Sequence, residues 1–212
     1  MSLQNEPTQL IPRSLSNSLP PAARQTSYFL TGALAGASTL PIEYAYQRPN
    51  SLPTFLRNIG PSALYRAGLR FWTFDLVKSS LNRHSALPVW VQGGLGGAAG
   101  GFVEVAAQSL VNRKTPVPLA LGTQSLKLFF CFGTYTFLST TLSEELPPKP
   151  FPWCWTLGAV AGGTGSGIVA ALEGVRGRAL WTGAVPRGAI TIGTVIAVQV
   201  TSCAALLEKM DI

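Results

Sequence analysis

The chain has 212 residues, of which 12% are charged and 47% hydrophobic, with 22 glycines and a formal net charge of +7. Soluble domains carry roughly 25% charged residues, so this balance excludes an ordinary soluble domain as the expectation and points to closely packed helices in a lipid bilayer. The basic residues fall in short loops between apolar runs, which argues against nucleic acid as a partner.

Residues 1–26 are polar, carry Pro7, Pro12, Pro20 and Pro21, and have Arg13 and Arg24 as their bases. They lack the apolar stretch of a secretory signal, so a flexible N-terminal tail is expected. The remainder, 27–212, reads as one transmembrane domain. Six apolar segments are predicted near 27–48, 66–83, 89–111, 118–142, 153–174 and 184–208, each about the 17–25 residues that a bilayer core requires. Pro49-Asn50 with Pro53, Pro88, Pro116 with Pro118, and the Pro147-Pro148-Lys149-Pro150 linker separate them.

The first, third and fifth segments share a pattern: Gly32-x-x-x-Gly36, Gly93-x-x-x-Gly97 and Gly158-x-x-x-Gly162, at offsets of 61 and 65 residues. Glycines four apart lie on one helix face and admit a neighbouring backbone. Their recurrence predicts a repeated helix pair, near 27–86, 87–150 and 151–212. The expected fold is therefore all-α, six transmembrane helices in three pseudo-repeated pairs. The connections after the odd segments carry Arg48, Arg57, Arg66, Arg113, Lys114, Arg176, Arg178 and Arg187 against Glu43 and Glu173. The positive-inside bias places those connections on one side and both termini on the other.

Several residues stand out against the apolar background. Arg70, Asp75 and Lys78 interrupt the second segment, Glu104 the third and Lys127 the fourth, while Arg187 enters the sixth. Intramembrane charges usually face an interior cavity. For Glu104, pairing that fixes helix packing is the preferred reading and proton coupling the alternative. Cys131, Cys154 and Cys203 lie in or beside apolar segments and are expected as buried thiols, and His84 as a solvated residue at a span end. Gly162-Gly163-Thr164-Gly165-Ser166-Gly167 sits inside an apolar span with no strand before it and no lysine after it, so packing explains it better than nucleotide. No catalytic triad, phosphate loop or metal-ligand spacing occurs, so neither an enzyme nor a cofactor is expected.

Pro41-x-Glu43, Gly60-x-x-x-Leu64-Tyr65-Arg66 and Phe74-Asp75-x-x-Lys78 in the first pair resemble the repeated motifs of the mitochondrial carrier family. So does Leu180-Trp181-Thr182-Gly183 leading to Pro186-Arg187 in the third. Arg70-Phe71-x-x-Phe74-Asp75, Gly101-x-x-Glu104 and Gly122-Thr123-Gln124-Ser125-Leu126-Lys127 are similar to tricarboxylate (citrate) carriers. The resemblance implies a multi-pass protein of the mitochondrial inner membrane that transports a small anionic metabolite such as citrate. It further implies a substrate site drawn from Arg70, Lys127, Arg187 and Glu104, and gates formed by Glu43, Arg48, Glu173 and Arg176 at one end and Asp75 and Lys78 at the other. The departures are plain: Tyr46 replaces a base, Ala171 a proline, the second repeat is eroded at Val111-Asn112-Arg113, and Ala120, Leu121 and Ile190 occupy positions where bases are expected. The chain is also shorter than the family's members, and Tyr46, Tyr65 and Trp181 are the aromatic residues available to reinforce its gates. The alternative is a carrier-fold or import-channel-like membrane protein that has lost transport and serves in assembly.

Overall fold

The computed structural model describes residues 21–49, 51–113, 115–142 and 151–210, and these are helical except for short connections. The helices are α1 (Pro21–Ser38), α2 (Leu40–Gln47), α3 (Leu52–His84), α4 (Val89–Val111), α5 (Pro118–Thr141), α6 (Phe151–Leu172) and, after a π-helical turn at Leu180–Ala184, α7 (Val185–Met210). The tail at 1–20, Asn50, Lys114 and the proline-rich linker at 143–150 lie outside the described residues.

Proline and glycine chemistry sets most of the helix ends. Pro118 opens α5 and Pro53 lies in the first turn of α3, where the missing N–H has no helical partner to lose. Gly174, at φ +86°, ends α6 with its N–H donating to Ala171 O at 3.1 Å while Val175 N–H reaches Ala170 O at 2.9 Å, a left-handed cap that glycine adopts without strain. The break between α1 and α2 falls at Thr39, whose hydroxyl donates to Gly36 O at 2.8 Å, one residue before Leu40-Pro41.

Three differences from the sequence reading concern the first half. Helix α1 begins at Pro21 rather than near 27, because Pro21 suits a first helical turn and Arg24 is held by an acidic partner on α3. The polar loop expected between 48 and 66 is helix from Leu52 onward, with Pro61 inside it. A glycine before the proline, Gly60, removes the Cβ that would collide with the proline ring, and Ser62 Oγ donates to Ile59 O at 2.9 Å. Finally, of the six predicted spans, two helical stretches among the described residues, Phe151–Leu172 and Leu180–Leu206, are long and apolar enough to cross a membrane. Glycines and glutamines in α4, hydroxyl-bearing residues and Lys127 in α5, and Arg66, Arg70, Asp75 and Lys78 in α3 dilute the others.

The long helices pack as sequential neighbours, α1 on α3, α3 on α4, α4 on α5, α5 on α6 and α6 on α7, and α7 closes the ring against α1. Each Gly-x-x-x-Gly faces the next long helix. A Cβ at Gly36 would overlap Ala63 O, one at Gly97 Leu128 O, and one at Gly162 Gly188 O. The repeated glycines therefore set three close helix pairs, as their spacing predicts. With α1, α4 and α6 running one way and α3, α5 and α7 returning, residues 21 and 210 and the Ser85–Pro88 connection share one end of the ring. The connections at 48–51 and 112–117 and the 173–179 segment share the other.

The interior is filled towards the chain-end side by Phe71, Phe74, Leu128, Phe132, Tyr135 and Ile196. Phe74 and Phe132 lie with centroids 4.6 Å apart, and Phe71 meets Phe132 edge-on at 5.6 Å. Cys131, Cys154 and Cys203 are buried thiols, none of them in a disulfide with a described residue.

Candidate functional site

Towards the 48–51 and 112–117 connections the same interior is open. A cavity of about 630 Å³ enters between α1, α2, α3, α4 and α7, and a second lobe of about 350 Å³ lies between α5, α6 and α7. Glu43, Arg187 and Thr191 line both lobes. Arg187 Nη2 donates to Glu43 Oε2 at 2.8 Å, and its guanidinium lies 5.3 Å from the centre of the Tyr46 ring. This pair joins α2 to α7 across the mouth and divides the opening in two.

The wall of the larger lobe is a three-helix charge cluster. Glu104 on α4 is wholly buried. Its Oε1 accepts from Arg66 Nε at 2.9 Å and Nη2 at 2.6 Å. Its Oε2 accepts from Arg70 Nε at 2.8 Å and from Gln124 Nε2 of α5 at 3.3 Å, and lies in ion-pair contact with Arg70 Nη2 at 2.7 Å. Arg66 and Arg70 are one helical turn apart on α3, so both reach the same carboxylate. The backbone makes this possible: a Cβ at Gly100 would lie 2.8 Å from Arg70 O and one at Gly101 2.9 Å from Gln124 O, so glycines one turn before Glu104 let α3 and α5 close on α4. Two guanidinium forks against one carboxylate satisfy its oxygens and leave one positive charge over.

Lys127 lines the smaller lobe, and no hydrogen bond or ion pair joins it to any described residue. Three hydroxyls lining the lobes, Tyr65 Oη, Ser166 Oγ and Thr191 Oγ1, are buried and lack a hydrogen-bond partner among the described residues. Buried polar atoms without partners are uncommon, and each costs about 1–3 kcal/mol of unrecovered desolvation.

At the closed end, Arg24 Nη2 donates to Asp75 Oδ1 at 2.7 Å and Oδ2 at 2.9 Å and makes a short contact to Ser79 Oγ. Deeper in, Gln199 Nε2 donates to Thr31 Oγ1 at 2.9 Å, joining α7 to α1.

The four residues expected at a substrate site, Arg70, Lys127, Arg187 and Glu104, all line the two lobes. Of the residues expected at the gates, Glu43 pairs with Arg187 and accepts from Gln47 at 3.1 Å. Arg48 is exposed and adopts φ 45° beyond the end of α2, off the helical repeat. Glu173 and Arg176 are exposed beside the turn that ends α6 and make no ion pair with any described residue. Asp75 pairs with Arg24, and Lys78 Nζ lies 5.6 Å from the centre of the Phe74 ring. Of the aromatic residues expected to reinforce a gate, Tyr46 lies under Arg187, Tyr65 lines the larger lobe and Trp181 is 69% exposed.

Arg24, Arg66, Gln124, Ser166 and Thr191 were not singled out by sequence as site residues. Arg66 carried a usable signal, since a base four residues before Arg70 presents both to one partner on the next helix. Comparison with protein families, characterised proteins and solved structures finds no match to the chain.

Proposed function

We propose that this chain is a carrier-type transporter of a small carboxylate, embedded in the mitochondrial inner membrane. The observation that carries the reading is the ring's asymmetry: a polar, net-basic cavity enters from one end and stops on a packed aromatic interior at the other. A transporter needs its site open to one side at a time, and a ring closed at one end supplies one of those states. Fixed positive charge in such a cavity, from Lys127 and the Arg66–Arg70 pair, suits an anionic ligand. Exposed apolar side chains around the ring, among them Leu30, Leu34, Leu76, Phe102, Phe137 and Val160, favour contact with lipid, since apolar surface of this extent is unusual on a protein facing water.

The test is uptake of labelled citrate and of labelled dicarboxylates by liposomes holding the purified protein, with Arg70→Ala and Lys127→Ala as controls. Uptake that falls in both variants supports the reading. Absence of uptake of every di- and tricarboxylate by folded protein overturns it and favours the assembly role instead. One observation leans towards that second reading: Arg48, Glu173 and Arg176, which a gate at the open end would need, stand exposed and without an ion pair to any described residue.

A further inference from the structure

We propose that the ring has one movable joint, the seam between α1 and α7, and that the closed end opens by parting there while the other five helix interfaces hold. The use of this joint in transport rests on the reading above; its existence does not.

Backbone packing singles the seam out. The three helix pairs meet one another at three seams, α3–α4, α5–α6 and α7–α1. At the first, a Cβ at Gly100 would lie 2.8 Å from Arg70 O, and at the second, one at Gly165 would lie 2.6 Å from Lys127 O. The ring contacts of Phe132 with Phe71 and Phe74 further link α5 to α3. Among the described residues the α7–α1 seam has no such approach: Gly32 and Gly36 of α1 are met by α3, and Gly188 and Gly193 of α7 by α6. Helices in lipid are held together chiefly by close packing at small residues, and this seam lacks the contact that the other five interfaces share.

What the seam has instead is polar. Thr31, Ala35 and Thr39 on α1, and Thr191, Val195 and Gln199 on α7, recur every fourth residue, so each trio lies on one helix face. Thr39, Thr191 and Val195 line the larger lobe. Thr31 and Gln199, both buried, meet two turns deeper. Gln199 Nε2 donates to Thr31 Oγ1 at 2.9 Å, while Gln199 Oε1 has no partner among the described residues. A buried amide oxygen left unpaired favours any state that wets it. Parting the seam from the cavity side does so, because the two polar faces continue the wall of the lobe. The ties that oppose parting are light: this one bond and, at the mouth, the half-exposed Arg187–Glu43 pair, of a kind that contributes little. Arg24–Asp75 joins α1 to α3 and does not cross the seam, so α1 and α3 move together.

Pairs of nitroxide labels on exposed positions test this without touching the seam. Leu30→Cys/Ala205→Cys spans α1–α7, Leu76→Cys/Leu95→Cys spans α3–α4, and Phe137→Cys/Val160→Cys spans α5–α6; the native thiols are buried. Dipolar distances are measured in liposomes, with and without citrate and succinate. The α1–α7 pair is expected to give a second, longer distance, and the other two pairs one distance each. Thr31→Val/Gln199→Leu makes the seam apolar at similar volume. It should lower the share of the longer distance by about 5–100-fold, the range set by one unpaired buried polar group. A longer distance at either other seam, a single distance at α1–α7, or a share unmoved in the double variant overturns the inference. If the double variant does not fold, the three wild-type distances decide. Uptake is read separately. Two distances without uptake of either anion leave the joint standing and remove the transport reading, whereas uptake with a single distance removes the joint alone.

Discussion

Arg24 and Asp75, separated by 51 positions, form a forked ion pair at 2.7 and 2.9 Å that ties the first turns of α1 to the last third of α3. The pair lies at the closed end of the ring, and its side chains are 20% and 10% exposed. Breaking a buried pair by removing one partner leaves the other charge uncompensated and costs about 3–5 kcal/mol. Arg24→Ala is therefore expected to lower the unfolding midpoint of the purified protein by several degrees. Lys78→Ala, which removes a base from the same end without breaking the pair, should lower it far less. Equal effects would show that Arg24 does not tie the two helices together.

The Arg187–Glu43 pair makes the opposite case. Arg187 is 49% exposed, and exposed pairs are worth about 0–1 kcal/mol. Arg187→Ala should leave the unfolding midpoint within a degree or two while joining the two lobes into one wider opening. Carboxylate-induced thermal shifts in this variant, compared with wild type, read the second effect. A large loss of stability would mean that the pair holds the mouth together and does not merely divide it.

At Glu104, substitution acts on its partners. Glu104→Gln keeps the volume but leaves the Arg66 and Arg70 guanidinium groups facing each other with no counter-charge. The expected loss is about 3 kcal/mol. An added carboxylate should recover part of it by taking Glu104's place, so succinate at high concentration raises the variant's unfolding midpoint more than that of wild type. Equal rises would indicate that the cluster does not accept anions from solution.

How far this arrangement is legible in the sequence depends on the range of the interaction. The α4 boundaries at Val89 and Val111 agree with the predicted span 89–111, and α5 starts at Pro118 as predicted, because Pro88, Pro116 and Pro118 punctuate the chain locally. The glycine repeats report the helix pairs because a missing Cβ has one common use, close backbone approach. Arg24 stayed hidden because its partner is 51 residues away and its neighbours are those of a polar tail. Motif spacing marked Asp75 and Lys78 for one gate and Arg48 for the other but named no partners: the fold brings Asp75 a base from α1, and the left-handed residue at Arg48 turns that side chain off the helical repeat. The Glu104 cluster was legible as a charge in need of a partner. Which partner it would find depended on Gly100 and Gly101 drawing α3 and α5 together.

Glycines that look alike in the sequence should respond differently to substitution. A Cβ at Gly97 would overlap Leu128 O and lie 2.8 Å from Phe132 Cβ, whereas one at Gly122 meets nothing within 4 Å. Gly97→Ala must push α4 and α5 apart and is expected to destabilise by about 1–3 kcal/mol, the usual range for overpacking. Gly122→Ala is expected to stabilise by about 0.5–1 kcal/mol through reduced backbone entropy in the unfolded chain. Thermal unfolding of the two variants side by side checks both signs, and equal shifts would deny the close packing of α4 on α5.

The sidedness of the ring is open to a direct chemical test, because the native thiols Cys131, Cys154 and Cys203 are buried. Single cysteines at Arg113 and Arg178, both exposed at the open end, and at His84, exposed at the closed end, give three reporters on a quiet background. In sealed liposomes of one orientation, a membrane-impermeant maleimide should label Arg113→Cys and Arg178→Cys together and His84→Cys only after permeabilisation, or the reverse in the opposite orientation. A bilayer between the two ends of the ring produces that pattern, since each helix must carry the chain from one reporter group to the other. Labelling of all three from the same side would place both ends of the ring in one aqueous compartment, and the membrane-embedded reading would fall with it. The positive-inside bias adds a second expectation: in cells the Arg113 and Arg178 positions should lie on the side where positive loops are retained.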